Sequence, residues 1–266
     1  MLVGSSAWAV PISSSLSITG SVTLDTVNSL TPVGSAHQSG TLQRVTGGVV
    51  TSASFTDTPS SIGSGVASGS LTDINDGIGA HFSMNGTSTG GTSQTDGIFA
   101  DFLLNLTNNS LTDTFTITFR ALITNTVAAS GADAFAYSDI SVRDPSNVEV
   151  LFSDHRVDTV NVSSNFTMDS ANDTFAITLA PGQSSSFSAL QRQRGGTFQA
   201  GSYSADLNAF LRIDSVTGGN DNPNTVPLPG SLPLALLGLV SLVASRPVSR
   251  RRGQRDTAAE AAGQGA

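Results

Sequence analysis

Three histidines, His37, His81 and His155, are the first residues to weigh for chemistry, because imidazole ligates metals and moves protons near neutral pH. They stand far apart, without the close pairing that a zinc motif needs. Asp154-His155 supplies a base and its orienting acid for a nucleophilic triad, but no Gly-x-Ser-x-Gly elbow occurs anywhere in the chain. His155 is therefore expected at a turn or rim. Asp73-Ile-Asn-Asp-Gly77 and Gly219-Asn-Asp-Asn222 are oxygen-rich and raise calcium. Neither follows the twelve-residue calcium loop, so both are expected to be turns, with calcium as the competing reading. Carboxylate pairs that cleave glycosides work at a separation set in three dimensions, which linear spacing does not give. Cysteine is absent, which removes disulfides, thiolate metal sites and cysteine nucleophiles together. No catalytic residue, metal or cofactor is expected, and the chain is not read as an enzyme.

Composition says what kind of body carries these residues. The chain has 266 residues, enough for one large β domain or two small ones, and is 38% apolar, 12% charged and 6% aromatic. Its abundance of Ser, Thr, Gly and Asn favours an all-β exported class. All twelve basic residues are Arg. Between Val10 and Thr225 eighteen Asp or Glu stand against seven Arg, whereas from Val226 onward five Arg outweigh two acids. An acidic body without Lys argues against nucleic acid, whose binding requires cations to neutralise phosphates. The single Trp, Trp8, and two Tyr leave few platforms on which a sugar ring could stack.

Short candidate strands at Ile12–Thr19, Val22–Asn28, Val49–Thr56 and Ala80–Asn85 are separated by Gly/Ser/Thr punctuation. Ser60–Ser70 and Gly86–Gly97 read as loops or flexible connections. The strongest pattern follows. Phe115, Ile117, Phe119, Ala121 and Ile123 alternate with Thr and Arg, the period of a half-buried strand. Ile98–Thr107 is apolar on both sides of Asp101 and is expected centrally in a sheet. Phe135–Val142 and Val148–Phe152 flank the turn Arg143-Asp-Pro-Ser-Asn147. Phe175–Leu179 runs through Ala180-Pro-Gly-Gln183 into Ser184–Leu190, and Ala205, Leu207, Ala209, Leu211 and Ile213 alternate again. Closely spaced strands with turns between them predict a β-sandwich, immunoglobulin-like or jelly-roll.

The C-terminal region is different in kind. Val226-Pro227-Leu228-Pro229-Gly230 precedes an uncharged, leucine-rich run from Leu232 to Ala244, then Arg246 and Arg250-Arg251-Arg252. As a helix the run rises about 20 Å. The uncharged stretch from Val226 to Ser245 is long enough to span a bilayer of roughly 30 Å thinly. Arginines on the C-terminal side alone place that side in the cytoplasm and the body across the membrane. The competing reading is a buried core helix, although a core helix rarely ends in an arginine cluster.

These residues resemble the PEP-CTERM class of sorting signals, in its Val-Pro-Leu-Pro-Ala variant. The resemblance covers residues 226–252 and rests on the order of its three parts. It implies recognition by an exosortase, an integral-membrane cysteine protease of Gram-negative bacteria, with cleavage near the proline motif and delivery to the envelope surface or extracellular matrix. Leu228 stands where the commonest form has Glu, and Gly230 where the variant has Ala, which leaves the exosortase subtype open. A tail rich in Ala and Gly, 253–266, follows the arginines and is expected to be disordered.

At the other end, residues 1–9 read as the remnant of a signal peptide, with Ala7 and Ala9 as the small residues that signal peptidase accepts. The competing reading is a first strand containing Ala-Trp-Ala. The expected organisation is then a β-sandwich over 10–217, a linker over 218–225, the sorting signal with a transmembrane helix over 226–252, and the tail. The expected function is a structural or adhesive protein, anchored in the envelope or released into an exopolysaccharide matrix. The alternative is a carbohydrate-binding or carbohydrate-active surface protein, and a calcium-dependent adhesin is a third possibility.

Overall fold

A computed structural model describes residues 10–25, 32–57 and 67–219. They belong to the first of two compact units, Met1–Asn224; the second, Thr225–Ala266, lies outside the described residues. So do the expected signal-peptide remnant, the sorting signal with its helix, and the tail. Among the described residues no helix is long and apolar enough to cross a membrane.

The described chain is all-β. In order it forms β1 (Leu16–Leu24), β2 (His37–Thr46), β3 (Val49–Thr56), β4 (Ala67–Ser70), β5 (Gly77–Ser88), β6 (Ser93–Asn108) and β7 (Phe115–Gly131). There follow β8 (Ala134–Arg143), β9 (Glu149–Asp158), β10 (Phe166–Asp169), β11 (Thr174–Leu179), β12 (Ser184–Thr197) and β13 (Gly201–Gly218). They pair antiparallel into a seven-stranded sheet, β10-β9-β8-β12-β6-β1-β4, and a six-stranded sheet, β11-β7-β13-β5-β2-β3. One apolar cluster joins Ile18, Leu104 and Leu106 of the larger sheet to Phe82, Phe119 and Leu207 of the smaller. The core therefore lies between two sheet faces, as in a sandwich.

Alternation located the strongest strands correctly. Phe115, Ile117 and Phe119 are fully buried, and Phe119 stacks on Phe175 at 5.4 Å while meeting the edge of Phe187 at 6.2 Å. Phe175 neighbours Phe119 in one sheet, but Phe187 comes from the other, so these rings stitch the layers together. β6 is central, between β1 and β12, as its two-sided apolar pattern predicts.

Glycine misled elsewhere. The two strands expected at Ile12–Thr19 and Val22–Asn28 merge into β1, because Gly20 is a packing site: a Cβ there would lie 2.7 Å from Ile78 Cγ2. The loop expected at Gly86–Gly97 is mostly strand, with β5 ending at Ser88 and β6 starting at Ser93. Gly86 lies flat beneath Tyr203, whose ring would sit 2.5 Å from an added Cβ. The second expected loop, Ser60–Ser70, contains β4, and β2 has no counterpart among the expected strands.

Candidate functional site

Two polar arrangements emerge from this frame. The first lies on the outer face of the seven-stranded sheet. β8 turns Ala136, Ser138 and Ile140 toward the core and, by the strand period, Tyr137 and Asp139 outward. Register sets Arg192 of β12 opposite Asp139, and Asp139 opposite Asp154 of β9, a row across three strands. Arg192 Nε donates to Asp139 Oδ1, and its Nη2 donates to the Tyr137 hydroxyl at 2.8 Å. The guanidinium carbons of Arg192 and Arg194 lie 5.3 and 5.4 Å from the Tyr137 ring centroid, within cation–π range.

These neighbours decide protonation. Burial raises the Asp139 carboxyl above its ordinary range, with Arg192 opposing and Asp154 adding to the rise. Burial also raises Asp154, and its Oδ1 is buried without a hydrogen-bond partner. The Tyr137 hydroxyl is pushed up to about 12, first by burial and then by the charge of Asp139. Chemically, the row offers two carboxylates that hold a proton more readily than usual, beside a donor-rich pair of guanidiniums.

The second arrangement is a cleft of about 300 Å³ between β7 and the β9–β10 corner, lined also by Ser170, Asn172 and Asp173. His155, expected at a turn or rim, is instead a mid-strand residue of β9, only 8% exposed and lining this cleft; the inward parity of Leu151 and Ser153 carries it there. Its Nε2 lies 3.1 Å from Asp169 Oδ1. Asn125 Nδ2 donates to the Ser138 carbonyl at 3.0 Å and to Ser153 Oγ at 2.9 Å, while its Oδ1 is buried and unpartnered. Gln193 Nε2 continues the seam to Ser138 Oγ at 3.2 Å, and the Oε1 atoms of Gln191 and Gln193 are likewise buried without partners. This strip between the sheets is built for hydrogen bonding. Among the described residues no hydroxyl is hydrogen-bonded to His155.

The three histidines are not brought together. Each meets its own aspartate: His37 with Asp57 at 3.1 Å, His81 with Asp206 at 3.0 Å, and His155 with Asp169. The Asp73–Gly77 stretch is a turn. Asp76 accepts backbone amides from Gly47, Thr72 and Asp73 at 2.7–2.9 Å, so its oxygens are occupied. No group of three metal-ligating side chains occurs among the described residues. Val226–Gly230, Arg246, Arg250, Arg251, Arg252, Ala7 and Ala9 lie outside the described residues, as do Asn220–Asn222 of the second oxygen-rich cluster. The Tyr137 row went unseen because its members are spread over three separate stretches, and only register joins them. The available signal was the outward pairing of Tyr137-x-Asp139 with Arg192-x-Arg194.

No family model matches the chain, and no curated protein matches it. Among solved structures, a mutant VP2 protein of infectious bursal disease virus in derived T=1 particles aligns over 89% of this chain and 72% of its own, at 9% identity and a TM-score of 0.13. A VP2 subviral particle of the same virus aligns over 86% and 72%, at 10% identity and 0.13. Scores this low carry no argument about fold or function.

Proposed function

We propose that this chain is an exported structural or adhesive protein of a bacterial envelope or extracellular matrix, sorted by an exosortase-type membrane protease. The observation that carries the reading is an order: an all-β body whose last described strand ends at Gly218, then Val226–Gly230, then an uncharged apolar run, then Arg246 and Arg250–Arg252. In this reading Leu232–Ala244 is a helix held transiently in the inner membrane, with the arginines as its cytoplasmic stop. The body is a sandwich of the jelly-roll kind. Supporting that variant, among the described strands the chain changes sheets at every step except β2 to β3, β8 to β9 and β9 to β10.

Replacing Pro227 and Pro229 by Ala tests the sorting step. Uncleaved protein is expected to accumulate in the membrane fraction, and an unchanged mass and location would sink the proposal.

A carbohydrate-binding or carbohydrate-active body is the second reading, favoured by one observation. Asp139 and Asp154 face each other across β8 and β9 beside an aromatic ring and two guanidiniums. Under it, Tyr137→Ala should lose retention on an immobilised matrix polysaccharide that the parent binds. Equal retention of both proteins removes this reading.

A further inference from the structure

We propose that the open edge of β7 pairs antiparallel with the same edge of a second copy of this chain, about a two-fold axis at Asn125. β11 covers β7 only from Phe115 to Arg120. One residue further, the Ala121 amide donates to the Asp173 carbonyl at 2.7 Å, which fixes the parity of the strand. Main-chain groups two apart point the same way, so those of Ile123, Asn125, Val127 and Ala129 face outward from the sheet. No strand among the described residues pairs with them there, while the opposite side of β7 is fully occupied by β13.

A sheet edge this long is normally blunted by charge, proline or brevity. β4 and β10 have four residues each and β11 has six, so those edges are short. The uncovered part of β7, Leu122-Ile-Thr-Asn-Thr-Val-Ala-Ala-Ser-Gly131, contains neither a charged residue nor a proline. β3 is also uncharged, but it runs into residues outside the described set.

The sequence of the edge selects its occupant. Folded about Asn125, it is complementary to itself: Thr124 meets Thr126 of the second copy, Ile123 meets Val127, and Leu122 meets Ala128. Each of these apolar side chains finds an apolar partner on its own face, and Thr–Thr is a favourable cross-strand pair. On the order of six backbone hydrogen bonds would form. The two six-stranded sheets would become one continuous sheet. This inference does not depend on how the C-terminal region is read.

The chain has no cysteine, so cross-linking starts from a clean background. Thr124 and Thr126 are exposed on the outer face, where substitution leaves the core alone. In the proposed register they form a non-hydrogen-bonded pair with Cα atoms about 4.5 Å apart, inside the range a disulfide spans. Full-length Thr124→Cys and Thr126→Cys proteins, each in the same detergent, are oxidised with glutathione disulfide separately and as a mixture. A covalent dimer is expected in the mixture, whereas each variant alone stays monomeric, since like positions lie diagonally across the axis. The proposal is overturned if the mixture gives no covalent dimer, as when another part of the chain or another partner covers the edge. It is equally overturned if either variant alone cross-links as readily as the mixture.

Discussion

Asp139 and Asp154 lie opposite each other on neighbouring strands, and burial raises both carboxyls above their ordinary values. An acid with a raised folded-state pKa binds its proton more tightly in the folded protein than in the unfolded chain. As pH climbs from the ordinary carboxylate value through the raised one, the folded state holds the excess of protons and stability falls. Asp214, lowered by its hydrogen bond to Arg120, and Asp158, lowered by the Asn161 amide, work in the opposite sense. The readable quantity is therefore the difference between a variant and its parent. Asp154→Asn removes one charge of the pair, so its Tm should exceed the parent's near neutrality, with the gap closing toward about pH 4. Parallel curves of Tm against pH would refute this. At the same scale, Gly40 lies where an added Cβ would be 2.4 Å from the Phe55 ring and 2.6 Å from that of Phe82. Gly40→Ala should cost about 1–3 kcal/mol in a urea titration, by overpacking.

Among the elements, alternation was legible wherever large apolar residues occupied the inward positions. β7, β11 and β13 followed from Phe119, Phe175 and Leu207 alone, and the β8–β9 turn from Asp144-Pro-Ser-Asn147. β2 did not, because its inward positions are Gln38, Gly40 and Leu42, which break the apolar signal. The Tyr137 row needed strand pairing that no local pattern encodes. Also missed was Asn108, fully buried at the end of β6. Its side-chain amide donates to the carbonyls of Asp113, Leu179 and Ala180 at 2.7–3.1 Å, and its Oδ1 accepts the Ser110 amide at 2.9 Å. One residue thus ties the β6–β7 turn to the β11–β12 turn. Asn108→Ala strands those groups and should cost about 1–3 kcal/mol. Phe119→Ala, which deletes a buried ring packed on both Phe175 and Phe187, should cost about 3–5 kcal/mol. Urea unfolding of both variants checks the order, with Phe119→Ala the less stable.

For the molecule as a whole, the two ends of the described body enter different sheets. β1 sits second from an edge of the larger sheet, whereas β13 lies inside the smaller one, paired with β7 along one side and β5 along the other. β13 is also the longest of the described strands, at eighteen residues. Any tension applied through residues beyond Gly218 is therefore delivered to the middle of a sheet. Extracting that strand lengthwise means sliding it against two ladders at once, where a border strand would be resisted by one. Pulled between its ends in an optical trap, the body should yield at lower force when Leu207 and Leu211 are both replaced by Ala, which loosens β13 without touching its neighbours. The last described strand is thus the part of the body that such a load reaches first.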